Sequence, residues 1–257
     1  MGNDAAIIVG TGASHLARRL VREEVYVCTG SYPVAILRIR YRDADVLVLP
    51  RHGLRHAIPP HQIDHALNMA ALRQLGVTQV IGLSAVGSLR ADLGAGTVVV
   101  LDDFIGHREV PSLQAYPTGL SGPLHAHFTS PFCPTLRRIL TNAFGPCDNC
   151  RPTGTYLQTA GPRFETPAEV RLYGTWGADV VGMTAVSEAI AARQSGLCYA
   201  GVACVTNFAS GIEASEPTHG KIVSAMARVI EHIRFQLVDA ALEAGLLPSC
   251  AGCQPRY

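Results

Sequence analysis

The sequence carries little charge and almost none in excess. Only 16% of its 257 residues are Asp, Glu, Lys or Arg, and the formal net charge is +1. Without a broad basic field there is no sequence-independent attraction for a phosphate backbone, so nucleic acid is not an expected partner. No charged-then-apolar leader opens the chain, and no apolar run approaches the eighteen or so residues of a membrane span. A membrane is therefore not an expected partner either, and the cytoplasm is the expected location. Internal repeats, linkers and low-complexity tracts are also missing. What remains is a chain that is 48% hydrophobic and long enough to bury a large core.

Short Val- and Ile-rich runs alternate with helical patterns. Strands are expected at Ala5–Val9, Val34–Tyr41, Ala44–Pro50, Gln79–Ala85, Thr97–Ile105, Gly154–Ala160, Asp179–Met183 and Tyr199–Asn207. Helices are expected at Ile63–Leu75, Pro134–Phe144, Ala168–Gly174, Thr184 to Gln194 and Lys221–Gly245. This alternation predicts one α/β domain over residues 1–257, with a central mixed, mainly parallel sheet flanked by helices. The short link between the second and third strands leaves little room for a crossover, so an antiparallel pair is expected there.

Eight cysteines are present. Cys28, Cys133, Cys198 and Cys204 read as small buried hydrophobes. Cys147-x-x-Cys150 and Cys250-x-x-Cys253 are two C-x-x-C pairs about a hundred residues apart, each in a loop rich in Gly or Pro. Such pairs can mean zinc or a disulfide. A cytoplasmic setting argues against standing disulfides, and unpaired surface thiols are the adopted reading. No metal or organic cofactor is expected.

In an α/β sheet, ligands gather where strand ends meet loops. Gly10-Thr11-Gly12 follows the first strand. Its glycines let a backbone approach an anion, and Thr11 can donate to it. The motif is not a dinucleotide fingerprint, because G-x-G-x-x-G is incomplete and no acidic ribose partner is evident. Arg51-His52-Gly53 and Ser84-Ala85 follow later strands, and together with Thr11 these groups could hold phosphate. Taken singly, each is as readily a turn or a solvated edge. Phe164 beside Glu165 suits a flat heterocycle, through ring stacking and a hydrogen bond from a ring N–H; a loop Phe that closes the core beside a solvated Glu is the plainer reading. Asn207 ends its strand, where asparagine often only caps a turn.

Taken in order along nearly the whole chain, these pieces resemble the trimeric purine nucleoside phosphorylase and methylthioadenosine phosphorylase family. The resemblance is carried by Gly10-Thr11-Gly12, Arg51-His52-Gly53 with His56, Ser84-Ala85-Val86-Gly87-Ser88 and Pro131-Phe132-Cys133-Pro134. It continues through Gly161 to Thr166, Thr175-Trp176-Gly177-Ala178-Asp179, Val181-Gly182-Met183-Thr184 with Glu188, and Thr206-Asn207. It implies that Thr11, Arg51, His52, Ser84, the Ala85 backbone and Thr184 bind inorganic phosphate as co-substrate. It further implies that Phe164, Glu165 and Asn207 hold the base, and that Met183, His219 and a neighbouring subunit's His125 surround the ribose. Asn207 and His52 are the expected catalytic residues, and a homotrimer acting in purine salvage is implied.

The sequence mixes two branches. Arg51-His52-Gly53 through Pro59-Pro60-His61-Gln62, with Phe132-Cys133, is similar to the methylthio-nucleoside branch. Thr206-Asn207, Gly211 and His219 are similar to the 6-oxopurine branch, and no aspartate stands at position 207. The expected reaction is phosphorolysis of inosine and guanosine to base and ribose 1-phosphate. The rival is a phosphorylase for 5′-methylthio nucleosides. A hydrolytic nucleosidase and a non-catalytic nucleoside-binding protein are further readings, disfavoured by the phosphate set.

Overall fold

A computed structural model describes residues 4–17, 20–29, 32–107, 126–146, 149–213, 218–248, 250 and 253. At its centre is Ala5–Val9 (β1), buried at every position. Its neighbours are Ala44–Pro50 (β4) and Gln79–Ser88 (β5), both parallel to it. A parallel strand covered on both faces has no polar side to show, hence the unbroken apolar run. The pleat divides β1 between two cores. Ala5, Ile7 and Val9 join the core under Leu16, Leu136, Met226 and Ile230, while Ala6 and Ile8 join the one under Leu67, Leu72 and Val186.

The helices form these two layers. Ala13–Ala17 (α1), Pro134–Phe144 (α3) and the long His219–Ala244 (α6) supply the first core. His65–Gln74 (α2) and Ala185–Gln194 (α5) supply the second. Pro167–Thr175 (α4) packs Val170 and Tyr173 into a third, smaller core. Helix starts follow local chemistry. Asp64 accepts from Leu67 N at 2.8 Å ahead of α2, and Thr166 and Glu169 form a capping box on α4.

The sheet forks at β5. Along one edge β5 pairs with Cys198–Phe208 (β11) in parallel. The other edge is shared: β1 takes its first half, and Val180–Gly182 (β10) pairs antiparallel with Gly87 and Ser88 at its end. Beyond β10 lie Thr155–Gln158 (β9) and Asp103–Gly106 (β7); beyond β11 lie Val98–Val100 (β6) and Cys150–Arg151 (β8). Beyond β4 the order continues through Pro33–Tyr41 (β3) to Val21–Cys28 (β2), antiparallel throughout. The mixed, mainly parallel sheet and the antiparallel β3–β4 pair agree with the sequence reading.

Three expectations need correction. The single strand at Thr97–Ile105 is two, β6 and β7, which serve different arms of the fork. At the break, Asp102 turns its carboxylate to the Gly154 N–H at 2.9 Å. The edge strand β2 has no counterpart in the sequence reading: nearly all its side chains are at least partly exposed, so no alternation marks it. The cysteines also differ. Cys28 is exposed, and the tail pair is not a surface feature, since Cys253 is buried and Cys250 partly buried. Cys150 is disulfide-bonded; Cys147 lies outside the described residues. Among the described residues no helix is long and apolar enough to cross a membrane.

Gly82 in β5 shows how closely the sheet is packed with polar groups. A Cβ at this position would overlap the Tyr199 hydroxyl and come within 2.8 Å of Glu188 Oε2. Gly82→Ala is therefore expected to destabilise the fold by about 1–3 kcal/mol, as overpacking does. Gly174→Ala, in α4 with open space around it, should be neutral or stabilising by up to about 1 kcal/mol. Urea midpoints of the two variants check this, and equal midpoints would contradict it.

Candidate active site

A cleft of about 390 Å³ opens where β1, β4, β5, β10 and β11 end. Thr11, Arg51, His52, Ala85 and Thr184 line it, together with Phe164, Glu165, Met183, Asn207 and His219. Ten of the twelve residues named from the sequence therefore meet in one place. Ser84 does not line the cleft: it is 2% exposed and accepts from Arg51 Nη1 at 3.4 Å. Ser84 instead sits behind the Arg51 guanidinium, which donates to it. His125 lies outside the described residues.

Arg51 is 3% exposed, and each of its N–H groups has a protein partner. Nε and Nη2 grip the Glu188 carboxylate at 2.6 and 3.0 Å. Nη1 donates to Leu83 O at 2.9 Å and to Ser84, and Nη2 reaches Ile8 O at 3.4 Å. The Tyr199 hydroxyl donates to Glu188 Oε2 at 2.8 Å. The cation expected to be free for an anion is thus already half of a buried, two-point ion pair. Glu188 entered the sequence reading only as a motif member. The signal for its role is a lone carboxylate in Ala185–Gln194, a helix otherwise buried and rich in alanine; such a charge needs a cation.

The glycines of Gly10-Thr11-Gly12 have separate reasons. A Cβ on Gly10 would sit 2.9 Å from Arg51 Nη1 and 3.1 Å from His52 Nε2. Gly12 holds φ +93°, and a Cβ there would meet Ile230 Cδ1 at 2.5 Å. The first keeps the strand end open to the cleft's cation and imidazole, and the second lets α1 turn beneath α6.

His52 Nδ1 lies 2.7 Å from Ile58 O. A carbonyl can only accept, so Nδ1 carries the proton and Nε2 presents its lone pair. Burial first, then the Arg51 charge, depress its pKa to about 4, and the ring is neutral at pH 7. His56 and His219 stand beside it, with ring centroids 4.6 Å apart for His52–His56 and 5.9 Å for His56–His219. His56 received no role from sequence. It holds φ +54°, an uncommon backbone for a non-glycine residue, and lines the cleft.

The N-terminus of α5 points toward the cleft, but its amides are occupied. Thr184 N reaches the Tyr156 hydroxyl at 3.2 Å, and Val186 N and Ser187 N donate to Gln158 Oε1 at 2.8 and 3.1 Å. The Thr184 side chain makes no capping bond to its helix. Any anion here is met by side chains more than by the helix end. Gly182 is needed nearby, because a Cβ would overlap the Tyr156 hydroxyl.

Elsewhere in the cleft lining, Thr159 donates to Glu165 Oε1 at 2.8 Å. Burial raises the Glu165 pKa above the usual carboxylate range, while this hydrogen bond works the other way. Phe164 is 40% exposed at the mouth of the cleft. The loop carrying both is pinned by Arg163, which donates to Glu169 at 2.7 and 2.6 Å. Gly161, at φ +68°, packs its backbone against the Met183 thioether.

Asn207 owes its position to a β-bulge. The β11–β5 register shifts between Val205 and Asn207. The shift brings both Thr206 and Asn207 to the cleft, where an unbroken strand would turn them to opposite faces. Asn207 Nδ2 donates to Phe208 O at 2.8 Å, and Thr206 Oγ1 lies 2.8 Å from Oδ1. Because Phe208 O can only accept, the amide orientation is set: nitrogen toward Phe208, oxygen toward Thr206.

Residues 4–243 match the family described as the Phosphorylase superfamily. The 6-oxopurine nucleoside phosphorylase of Pyrococcus furiosus is 40% identical over 96% of this chain and 94% of its own. A protein of Methanothermobacter thermautotrophicus named "Probable S-methyl-5'-thioinosine phosphorylase" is 34% identical over 96% of this chain and 86% of its own. Among solved structures, methylthioadenosine phosphorylase from Schistosoma mansoni in complex with adenine superposes with a TM-score of 0.85 at 28% identity. That alignment covers 97% of this chain and 94% of the other.

The Arg51–Glu188 pair is the part of the site most exposed to single changes. Glu188→Ala leaves a buried guanidinium without its carboxylate and should destabilise the protein by about 3–5 kcal/mol. Glu188→Gln, which keeps the shape and one acceptor, should cost less. Thermal unfolding of the three proteins reads this out, and a Glu188→Ala protein as stable as the parent would rule out the pair as a structural anchor.

Proposed function

The chain belongs to the phosphorylase superfamily, and from that premise we propose that it splits 6-oxopurine nucleosides, inosine and guanosine, with inorganic phosphate to give free base and ribose 1-phosphate. One observation carries the reading: a single cleft is lined both by Thr11, Arg51 and His52 and by Glu165 and Asn207.

At the phosphate end, Thr11, Thr184, the Ala85 backbone and His52 surround the anion. Arg51 contributes as the cation of its pair. Its 3.4 Å contacts to Ser84 and Ile8 are the ones a phosphate oxygen can replace. The bare Nε2 of a neutral His52 suits a hydrogen phosphate, accepting the hydrogen bond from its P–OH. Phosphate then lies beneath the sugar, where it is both nucleophile and the negative charge that stabilises an oxocarbenium-like sugar.

At the base end, a 6-oxopurine has a hydrogen on N1 for Glu165 to accept. Asn207 Nδ2 keeps its second hydrogen for the six-position oxygen, and Oδ1 keeps a lone pair for N7–H as the base departs. Charge developing on the leaving purine meets an amide already oriented by Phe208 and Thr206. Adenine would set its amino group against the amide donor. An Asn207 flip to relieve that would turn Oδ1 onto Phe208 O.

A second reading, a phosphorylase for 5′-methylthio nucleosides, is favoured by one feature. Ile222, one turn along α6 from His219, lines the cleft with Pro59 and Pro60, an apolar surround suited to a thiomethyl group. His219 suits a 5′-hydroxyl better. Met183 lies against the ribose in either case. The homotrimer, with His125 reaching a neighbour's site, the salvage role and the cytoplasmic location belong to the same proposal, and the family resemblance supports them.

The test is a panel of inosine, guanosine, adenosine and 5′-methylthioinosine with and without phosphate. Strict phosphate dependence and preference for inosine and guanosine are expected. Equal cleavage in phosphate-free buffer would identify a nucleosidase, and a kcat/KM dominated by 5′-methylthioinosine would establish the second reading. For the base, inosine should exceed adenosine in kcat/KM by up to roughly 10⁴-fold, since the mismatched base leaves buried polar groups unpaired. Asn207→Asp should narrow that ratio and lower kcat for inosine more than it raises KM. Adenosine turned over by the parent as well as inosine contradicts the assignment of Glu165 and Asn207.

A further inference from the structure

Four cysteines from three distant parts of the chain converge at the end of the sheet away from the cleft. Cys133 immediately precedes α3, Cys198 opens β11, and Cys250 and Cys253 follow α6. Their sulfurs all lie within 4.8 Å of one another. Cys250 Sγ is 2.9 Å from Cys253, 3.5 Å from Cys133 and 3.6 Å from Cys198. None of the four is in a disulfide, whose sulfurs would stand about 2.05 Å apart. We propose that these four side chains form a structural zinc site, with Cys133, Cys198, Cys250 and Cys253 as its ligands.

The geometry suits the ion. Zinc–sulfur bonds of about 2.3 Å in a tetrahedron place the sulfurs about 3.8 Å apart, within the span seen here. Cys250-x-x-Cys253 supplies the two-ligand knuckle. Cys253 N donates to Cys250 O at 3.0 Å, a turn that brings both sulfurs to one side. Two features favour thiolates. Cys250 N donates to Cys198 Sγ at 3.3 Å, and Cys133 stands at the start of α3, the positive end of the helix. The backbone around the site is also tied, with Cys133 N donating to Tyr199 O at 2.7 Å. Soft thiolates in a tetrahedral set select zinc over hard divalent ions. Cys133, Cys198 and Cys253 are buried, and the partly exposed Cys250 leaves a route for the ion. On binding, the thiols give up their protons to solvent and the metal takes four sulfur ligands with no open position, which is a structural and not a catalytic coordination.

The ion would fasten the tail to the body of the protein. Gln79 Nε2 already donates to Leu247 O at 3.0 Å and to Pro248 O at 3.3 Å. Zinc adds a cross-link from that tail to β11 and α3. Cys198 and Asn207 are nine residues apart on one strand, roughly 30 Å at about 3.3 Å per residue, so the ion touches no step of the chemistry.

The experiment is metal analysis of full-length protein purified under reducing conditions from zinc-supplemented culture. One zinc per chain is expected, falling to near zero in the Cys250→Ser/Cys253→Ser variant. Four further thiols should react with Ellman's reagent once a chelator has removed the ion. Chelation should lower the Tm of the parent by more than about 5 °C, zinc should restore it, and kcat at moderate temperature should stay unchanged. The single variant Cys250→Ser, partly exposed, covers the case in which the double variant does not fold. Iron in place of zinc, no metal after reconstitution with zinc, or disulfides among these four cysteines in the reduced preparation would overturn the proposal.

Discussion

The buried ion pair of Arg51 and Glu188 organises one wall of the cleft. It joins the end of β4 to α5, reaches carbonyls on β1 and β5, and receives the Tyr199 hydroxyl from β11. Two charges taken from water need every lone pair and proton satisfied. The surroundings meet that demand: glycine at positions 10 and 82 makes room for the guanidinium, the carboxylate and the phenol. The consequence for function is positional. A guanidinium already held by a carboxylate has little freedom, so the wall against which an anion would bind is set before the anion arrives. Preorganisation of this kind is what makes a dipole or charge effective during a reaction.

The part of the cleft around Glu165 and Asn207 is built differently. An exposed ion pair, Arg163–Glu169, holds only the loop that carries Phe164 and Glu165. The order there comes from backbone acceptors and hydroxyls: Phe208 O and Thr206 orient Asn207, and Thr159 orients Glu165. Polar groups held in place in this way can discriminate by matching donors to acceptors. The bulge before Asn207 is the device that makes this possible, because it spends one residue of β11 to bring two side chains to the same side of the strand. Under the proposed function, phosphate and base are held by these two different kinds of order. The cysteine cluster at the far end of β11 leaves both untouched and concerns only how firmly the tail is attached.

Much of this was legible in the sequence. A short continuous apolar run such as Ala5–Val9, closed by Gly10, reads as a strand buried on both faces, and helices such as Pro134–Phe144 announce themselves by proline at the start and apolar spacing after it. Ordered short motifs at strand ends located ten of the cleft's residues, because a parallel sheet delivers its strand ends to one side. Tertiary structure alone decided the rest. The partner of Arg51 lies 137 residues away, and no local pattern links them. Ser84 is covered by the Arg51 guanidinium while Ala85 lines the cleft. The left-handed backbone of His56 belongs to the turn after β4, and the bulge at Thr206 depends on how β11 pairs with β5, which spacing within one strand does not encode. Cys133 and Cys198 look like ordinary small hydrophobes in their own segments, and their meeting with Cys250 and Cys253 exists only once α3, β11 and the tail are packed. Sequence by itself determines which residues are apolar, charged or hinged, since those are properties of single side chains; which of them face one another is a property of long-range packing, and appears only in the folded chain.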